Sequence, residues 1–225
     1  MEDLFCDSSS LISLTGSCLD NVVYYLSDNF KLRFVIPPFV EYESITRPIA
    51  SDLKQYSFSA IKIKKLLKDK VIVKVDKDVQ RKTERILYLT NNSLFVKGKP
   101  ITLLQKGEAE MISLASELGV NNILIDERTT RMMIEAPFRM KEHMEKEFGV
   151  NIMVNNGNLR EFSEMVRGMQ VIRSSELLIV AFENGFFNDF GDMKKDALQA
   201  ALYKIKFSGC SISFDEISDY IKSVK

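Results

Sequence analysis

The sequence predicts an α/β fold built on a mainly parallel sheet, and three observations carry that expectation. Short apolar runs recur at Leu4-Phe5-Cys6, Phe34-Val35-Ile36, Val71 to Val75 and Asn122 to Ile125. At least one segment with apolar residues at helical spacing separates each run from the next, which is the pattern of parallel strands joined by crossover helices. The 225 residues are 45% hydrophobic and 28% charged. That is ordinary globular usage, enough for one large domain and unlike a disordered, collagen-like or disulfide-stapled chain.

The elements follow in order. Leu4 to Cys6 reads as a buried strand that meets Asp7 and three serines, a polar turn. Leu11, Leu14, Cys18, Val22 and Leu26 predict one helix over Ser10 to Leu26. Strand Phe34–Ile36 stops at Pro37-Pro38; proline is accepted in a first helical turn, so Phe39 to Ile45 opens the next helix. Helices are predicted over Asp52 to Lys68 and Lys77 to Leu89, on either side of the β-branched strand Val71 to Val75. Residues 97–106, with Gly98 and Pro100, read as a loop. Gly107 to Leu118 reads as a helix closed by Gly119, and strand Asn122–Ile125 ends at Asp126.

Beyond Thr130 the pattern turns mostly helical. Residues 135–170 read as an insertion with an Asn/Gly loop at 155–158, where Asn158 and Glu161 mark a helix start. Ser213 and Glu216 form a capping box. Leu198, Ala201, Leu202 and Ile205 share one face of a helix over Lys195 to Phe207, which needs a partner within the chain. The predicted organisation is a core over 1–131, a helical insertion over 132–173 and a C-terminal helical segment over 174–225 that packs on the core.

Composition narrows the chemistry. His143 is the single histidine, which removes histidine-based general-base catalysis and Ser-His-Asp triads. Cys6, Cys18 and Cys210 form neither an even framework nor a CxxC pair, as in a reducing compartment. No apolar run approaches the ~20 residues of a membrane span, and Met1-Glu2-Asp3 does not open a secretory signal. A cytoplasmic protein without a membrane partner is the expectation. Any catalysis falls to carboxylates.

Two strands, Leu4–Cys6 and Ile123–Ile125, end in aspartates, Asp7 and Asp126. In a parallel sheet both ends lie on the carboxyl edge, where open α/β folds bind ligands. Glu108 opens the helix that leads into the second of these strands, on the same face as Ile112 and Ala115. Glu110 lies off that stripe and reads as a solvent residue. Glu41 and Glu43 follow the strand at 34–36 and point to different faces. Each acid has a bland reading as a turn former or a helix-dipole partner. Together, clustered carboxylates call for a hard cation, Mg²⁺ or Mn²⁺.

Net charge is zero, yet residues 52–106 hold 14 basic and 5 acidic side chains, a balance of +9. Such a segment attracts a polyanion or is a plain solvated face. Lys64, Lys65, Arg81 and Arg85 are its candidates for RNA backbone contact, and Tyr88 shares a helix face with Arg81 and Arg85 for base stacking. Ser8 and Ser9 are candidate partners of a metal ligand or phosphate, or turn formers. Arg128 and Arg131 are candidate phosphate clamps, or partners of Glu127 and Glu135.

Phe5-Cys6-Asp7-Ser8-Ser9, Ile36 to Glu43, Gly107-Glu108-Ala109-Glu110 and Ile123 to Arg128 resemble the successive motifs of PIN-domain nucleases. The nearest likeness is to the prokaryotic branch whose third motif reads Gly-Glu-Ala-Glu. The resemblance covers residues 1–131 and, more loosely, the tail from Ser174. It implies a three-layer α/β fold and a Mg²⁺- or Mn²⁺-dependent single-strand endoribonuclease, in some members the toxin of a toxin–antitoxin pair. The implied catalytic acids are Asp7, Glu43 (with Glu41 as its competitor), Glu108 and Asp126, of which Asp7, Glu108 and Asp126 hold the metal. RNA is the implied partner, with an antitoxin protein in toxin members; a homodimer stays open. The rival is a non-catalytic RNA-binding or scaffold protein on the same fold. A phosphatase lacks its second aspartate, because Ser9 stands there, and dinucleotide binding lacks a Gly-x-Gly-x-x-Gly turn.

Overall fold

The computed structural model describes residues 2–50 and 54–224. Its strands are β1 (Glu2–Cys6), β2 (Leu32–Ile36), β3 (Ile72–Lys74), β4 (Leu94–Val96), β5 (Lys99–Pro100), β6 (Asn122–Leu124), β7 (Met153–Val154) and β8 (Gln170–Ile172). Five of them form one parallel sheet in the order β3-β2-β1-β6-β8. Helices cover both faces, so the α/β class and the parallel sheet are as predicted. A small antiparallel sheet, β5-β4-β7, lies apart from it. Among the described residues no helix is long and apolar enough to cross a membrane.

Strand periodicity divides the core in two. Leu4, Cys6, Phe34, Ile36 and Leu124 point to one face, where they meet Leu11, Leu14, Ile63 and Leu66 and the C-terminal Leu178, Leu202 and Ile205. Phe5, Val35, Ile123 and Ile125 point to the other, against Ile86, Leu89, Met111, Ile112, Met133, Leu159 and Phe162. Side chains alternate across a strand with period two, which is why adjacent strand residues belong to different cores. The helix at Lys194–Phe207 buries Leu198, Leu202 and Ile205 as its spacing predicts.

The chain runs from β1 outward to β2 and β3, then returns to the other side of β1 as β6 and β8. The order therefore reverses between β1 and β6. Outside the carboxyl ends of these two strands lies a topological switch point, the usual ligand crevice of such sheets.

Several elements differ from the sequence expectation. The helix over Ser10–Leu26 is two helices, Ser8–Gly16 and Asp20–Phe30, because Cys18 turns the chain with φ of 59°. The helix after Pro37 contains a π turn at Tyr42–Thr46. The loop at 97–106 begins with a hairpin whose Lys97 and Gly98 both have positive φ. The helix predicted from Lys77 begins at Gln80; the predicted start at Asp52 lies outside the described residues. Residues 170–172 are the fifth strand of the main sheet, and Met153–Val154 pairs with β4.

Candidate functional site

Asp7 follows β1 directly and caps the helix at Ser8–Gly16. One carboxylate oxygen accepts the Ser10 N–H at 2.8 Å and the other the Ser9 hydroxyl at 2.5 Å. Four further groups converge on the space in front of it. Glu43 comes from the π turn, a helical distortion that often marks functional sites, and accepts the Ser8 hydroxyl at 3.2 Å. Glu108 comes from the start of the helix at Lys106–Glu117, where it accepts the Gln105 N–H at 2.5 Å in a capping box. Glu127 accepts the N–H groups of Thr129 and Thr130 at 2.9 and 2.6 Å. Gly107 completes the wall.

These residues, with Ser8, Ser9, Val40 and Gln105, line a cleft of about 100 Å³. Four carboxylates line it and no lysine or arginine does. Gly107 is required for the packing: a Cβ there stands 2.6 Å from a Glu43 carboxylate oxygen and 3.4 Å from the Phe39 ring. The glycine of the Gly-Glu-Ala-Glu run thus leaves the room that the Glu43 carboxylate occupies against the start of this helix.

The electrostatics follow from burial and like charge. Burial, and then the neighbouring Asp126, raise the Asp7 carboxyl from its ordinary 3.8 to about 7. Glu108 is raised by burial and by Glu127 and Glu43. Glu43 is raised chiefly by burial; the Ser8 hydrogen bond and Arg47 act against this, and Glu110 adds to it. A divalent cation or partial protonation relieves such a set. All its donors are hard oxygens, suited to Mg²⁺ or Mn²⁺. Each carboxylate keeps acceptor capacity beyond its present hydrogen bonds. Among the described residues, however, no three His, Cys, Asp or Glu side chains are already grouped closely enough to hold an ion.

Asp126 is turned differently from the sequence expectation. It is fully buried and accepts both the N–H and the hydroxyl of Ser174 at 2.8 Å. It thereby caps the helix at Ser174–Glu183 instead of bordering the cleft. Burial raises its carboxyl, and Ser174, Cys210 and Ser13 oppose that rise. The same burial, with Asp126 beside it, pushes the Cys210 thiol up to about 12. Glu127 borders the cleft in its stead. The sequence treated that residue only as an arginine partner; its place one step beyond a strand-end acid, just before a helix, is the signal that could have found it.

Glu41 does not compete with Glu43, because it pairs with Lys74 at 2.8 Å on another face. Nor is Glu110 a solvent residue. It is half-buried and accepts the Phe39 N–H at 2.9 Å, tying two helices together.

The basic candidates divide between the two faces of the sheet. Lys64 and Lys65 lie on the helix at Ser57–Lys68, which packs on one face, and Lys65 pairs with Asp69. Arg81 and Arg85 lie on the helix at Gln80–Asn91, which packs on the other. Arg85 forms a bidentate pair with Glu161 at 2.8 and 2.5 Å and lies over Tyr88. Arg128 is exposed beside the cleft, and Arg131 lies 3.6 Å from Glu135.

The chain was compared with family models, curated proteins and solved structures. None of the three comparisons gives a match.

Proposed function

We propose that this protein is a Mg²⁺- or Mn²⁺-dependent hydrolase of phosphodiester bonds in single-stranded RNA, on a PIN-like fold. The observation that carries the reading is the cleft. Asp7, Glu43 and Glu108, from three separate motifs, border one small space at the switch point together with Glu127.

Asp7, Glu108 and Glu127 are the residues that would hold the cation, while the buried Asp126 carboxylate adds negative charge near Asp7 that a cation would offset. When bound there, a cation would supply neutralisation of phosphate charge and a more acidic water at neutral pH. Glu43, raised by burial and steadied by Ser8, accepts the proton released by the attacking water. Ser9 fixes the rotamer of Asp7. The cleft volume, about 100 Å³, suits a phosphate-sized group.

One observation favours the non-catalytic rival. Asp7, Glu108 and Glu127 each cap a helix, a role that needs no cation. The two readings separate in one assay: cleavage of single-stranded RNA with Mg²⁺ or Mn²⁺ added and then chelated, for wild type, Asp7→Asn and Glu108→Gln. Cleavage lost on chelation and in both variants is the expected result. Activity that survives chelation overturns the metal-nuclease reading; RNA binding without cleavage under any condition assigns the scaffold.

A further inference from the structure

A second cavity, of about 540 Å³, opens at the carboxyl end of β3 beside the cleft; Asp76, Asp78, Val79, Glu84, Leu87 and Lys106 are among its lining. Its volume is that of an ordinary small-molecule site. The two spaces are adjacent, since Lys106 lines the larger one and its chain neighbours Gln105 and Gly107 line the smaller.

Lys106 itself is placed against electrostatics. It is the first residue of its helix, where a cation opposes the macrodipole. Among the described residues its ammonium pairs with no carboxylate, although acids surround it. Its contact is instead the Phe39 ring, 5.0 Å from the centroid, and Phe39 in turn packs against the exposed Tyr42. A cation held by an aromatic ring keeps its hydrogen-bond donors free for an anion. The other cavity lysine, Lys77, is engaged by Glu117 at 3.1 Å.

Asp76, Asp78 and Glu84, all exposed, give the larger cavity a lining rich in hydrogen-bond acceptors. Glu84 and Asp78 already hold the Gln80 side-chain amide and main-chain N–H, and carboxylates have capacity for more than one donor. Val79 and Leu87 supply apolar surface. A phosphate does not suit such a lining, whereas a planar base that presents an amine does.

We infer that Lys106 binds the phosphate on one side of the scissile bond, and that the nucleotide attached to it seats an amine-bearing base in the cavity at Asp76–Leu87. This rests on the proposed reading of the cleft and names its substrate preference. Lys106 is a positioning residue, and no covalent step is assigned to it.

The test uses a single-stranded oligoribonucleotide with fluorescence-anisotropy binding in Mg²⁺, alongside cleavage kinetics. Lys106→Met should raise KM about tenfold with kcat changed less than threefold, and should lower the salt slope of binding by about one. Lys106→Arg should restore both. Removing only the exocyclic amine (guanosine to inosine, adenosine to purine riboside, or cytidine to its 4-desamino analogue) should, for one of these bases at one position of the oligonucleotide, weaken binding five- to twentyfold. Leu87→Trp, which fills the cavity, should abolish that discrimination. Unchanged binding by Lys106→Met, or equal affinity at every position for guanosine and inosine, for adenosine and purine riboside, and for cytidine and its 4-desamino analogue, overturns the inference. If wild type binds with these preferences but never cleaves, the subsite stands and the catalytic reading fails; if it cleaves without them, the reverse holds.

Discussion

Replacing Gly107 with alanine separates the architecture of the cleft from its chemistry. A Cβ at this position meets the Glu43 carboxylate oxygen at 2.6 Å, and ordinary contact begins at 3.4 Å, so the carboxylate must retreat by about 0.8 Å. The obstacle is the end of a flexible side chain, so the helix itself need not move. The φ of Gly107 is not among the positive values, and alanine gains roughly 0.5–1 kcal/mol over glycine inside a helix. Against that, the Ser8–Glu43 hydrogen bond is lost; at 3.2 Å and half-buried it contributes about 1–1.5 kcal/mol. Stability should therefore stay within about 1 kcal/mol of wild type, read by urea denaturation. Activity should not, because a displacement near 1 Å at a catalytic group costs up to ~10²-fold. RNA cleavage in saturating Mn²⁺ should fall ten- to a hundredfold, mainly in kcat. Full activity would show that Glu43 need not stand where it does and would refute its role as proton acceptor.

Three further outcomes follow from the same geometry. The Asp7 carboxyl is raised from its ordinary 3.8 to about 7 in the folded state, so in the metal-free protein its contribution to stability should be fully present below about pH 4 and be lost as pH rises toward 7. Asp7→Asn keeps the helix cap and should flatten that slope, measured by thermal unfolding across pH in chelator. Asp126→Ala strands the Ser174 N–H and hydroxyl and should cost about 2–4 kcal/mol in denaturant unfolding; Asp126→Asn should cost less, and Glu127→Gln should remove cation-dependent cleavage with stability nearly unchanged. Neutralising Arg81 and Arg85 should reduce the salt slope of RNA binding, whereas neutralising Lys64 and Lys65, on the opposite face of the sheet, should leave it unchanged.

The legible part of the fold was the part encoded locally. Runs such as Phe34-Val35-Ile36 declare a buried strand by composition alone, and the face shared by Leu198, Leu202 and Ile205 declares a packed helix. The fifth strand was not legible, because Gln170-Val171-Ile172 has only two apolar residues and gains its pairing from β6, not from its own pattern. The break at Cys18 was hidden in the same way. Its left-handed conformation falls on a residue with no turn preference, inside an unbroken apolar period. At the site, position after a strand or at an adjoining helix start was enough to pick out Asp7, Glu108 and the pair Glu41 and Glu43, whereas the choice of Glu43 came from the family resemblance. Position could not say which way Asp126 turns, since that depends on Ser174, 48 residues later in the chain. Nor could linear charge reveal that the basic segment 52–106 wraps from one face of the sheet to the other.

The capping of Asp126 by Ser174 also has a consequence in time. During synthesis the strand that ends beside Asp126 leaves the ribosome well before the 48 residues that lead to Ser174. At ~5–20 residues per second that interval is roughly 2–10 s. Throughout it, the carboxylate lacks the helix start that satisfies it, and β6 lacks β8 on its outer edge. The Asp126 carboxylate and the outer edge of β6 therefore gain their final partners only once the last quarter of the chain has been made.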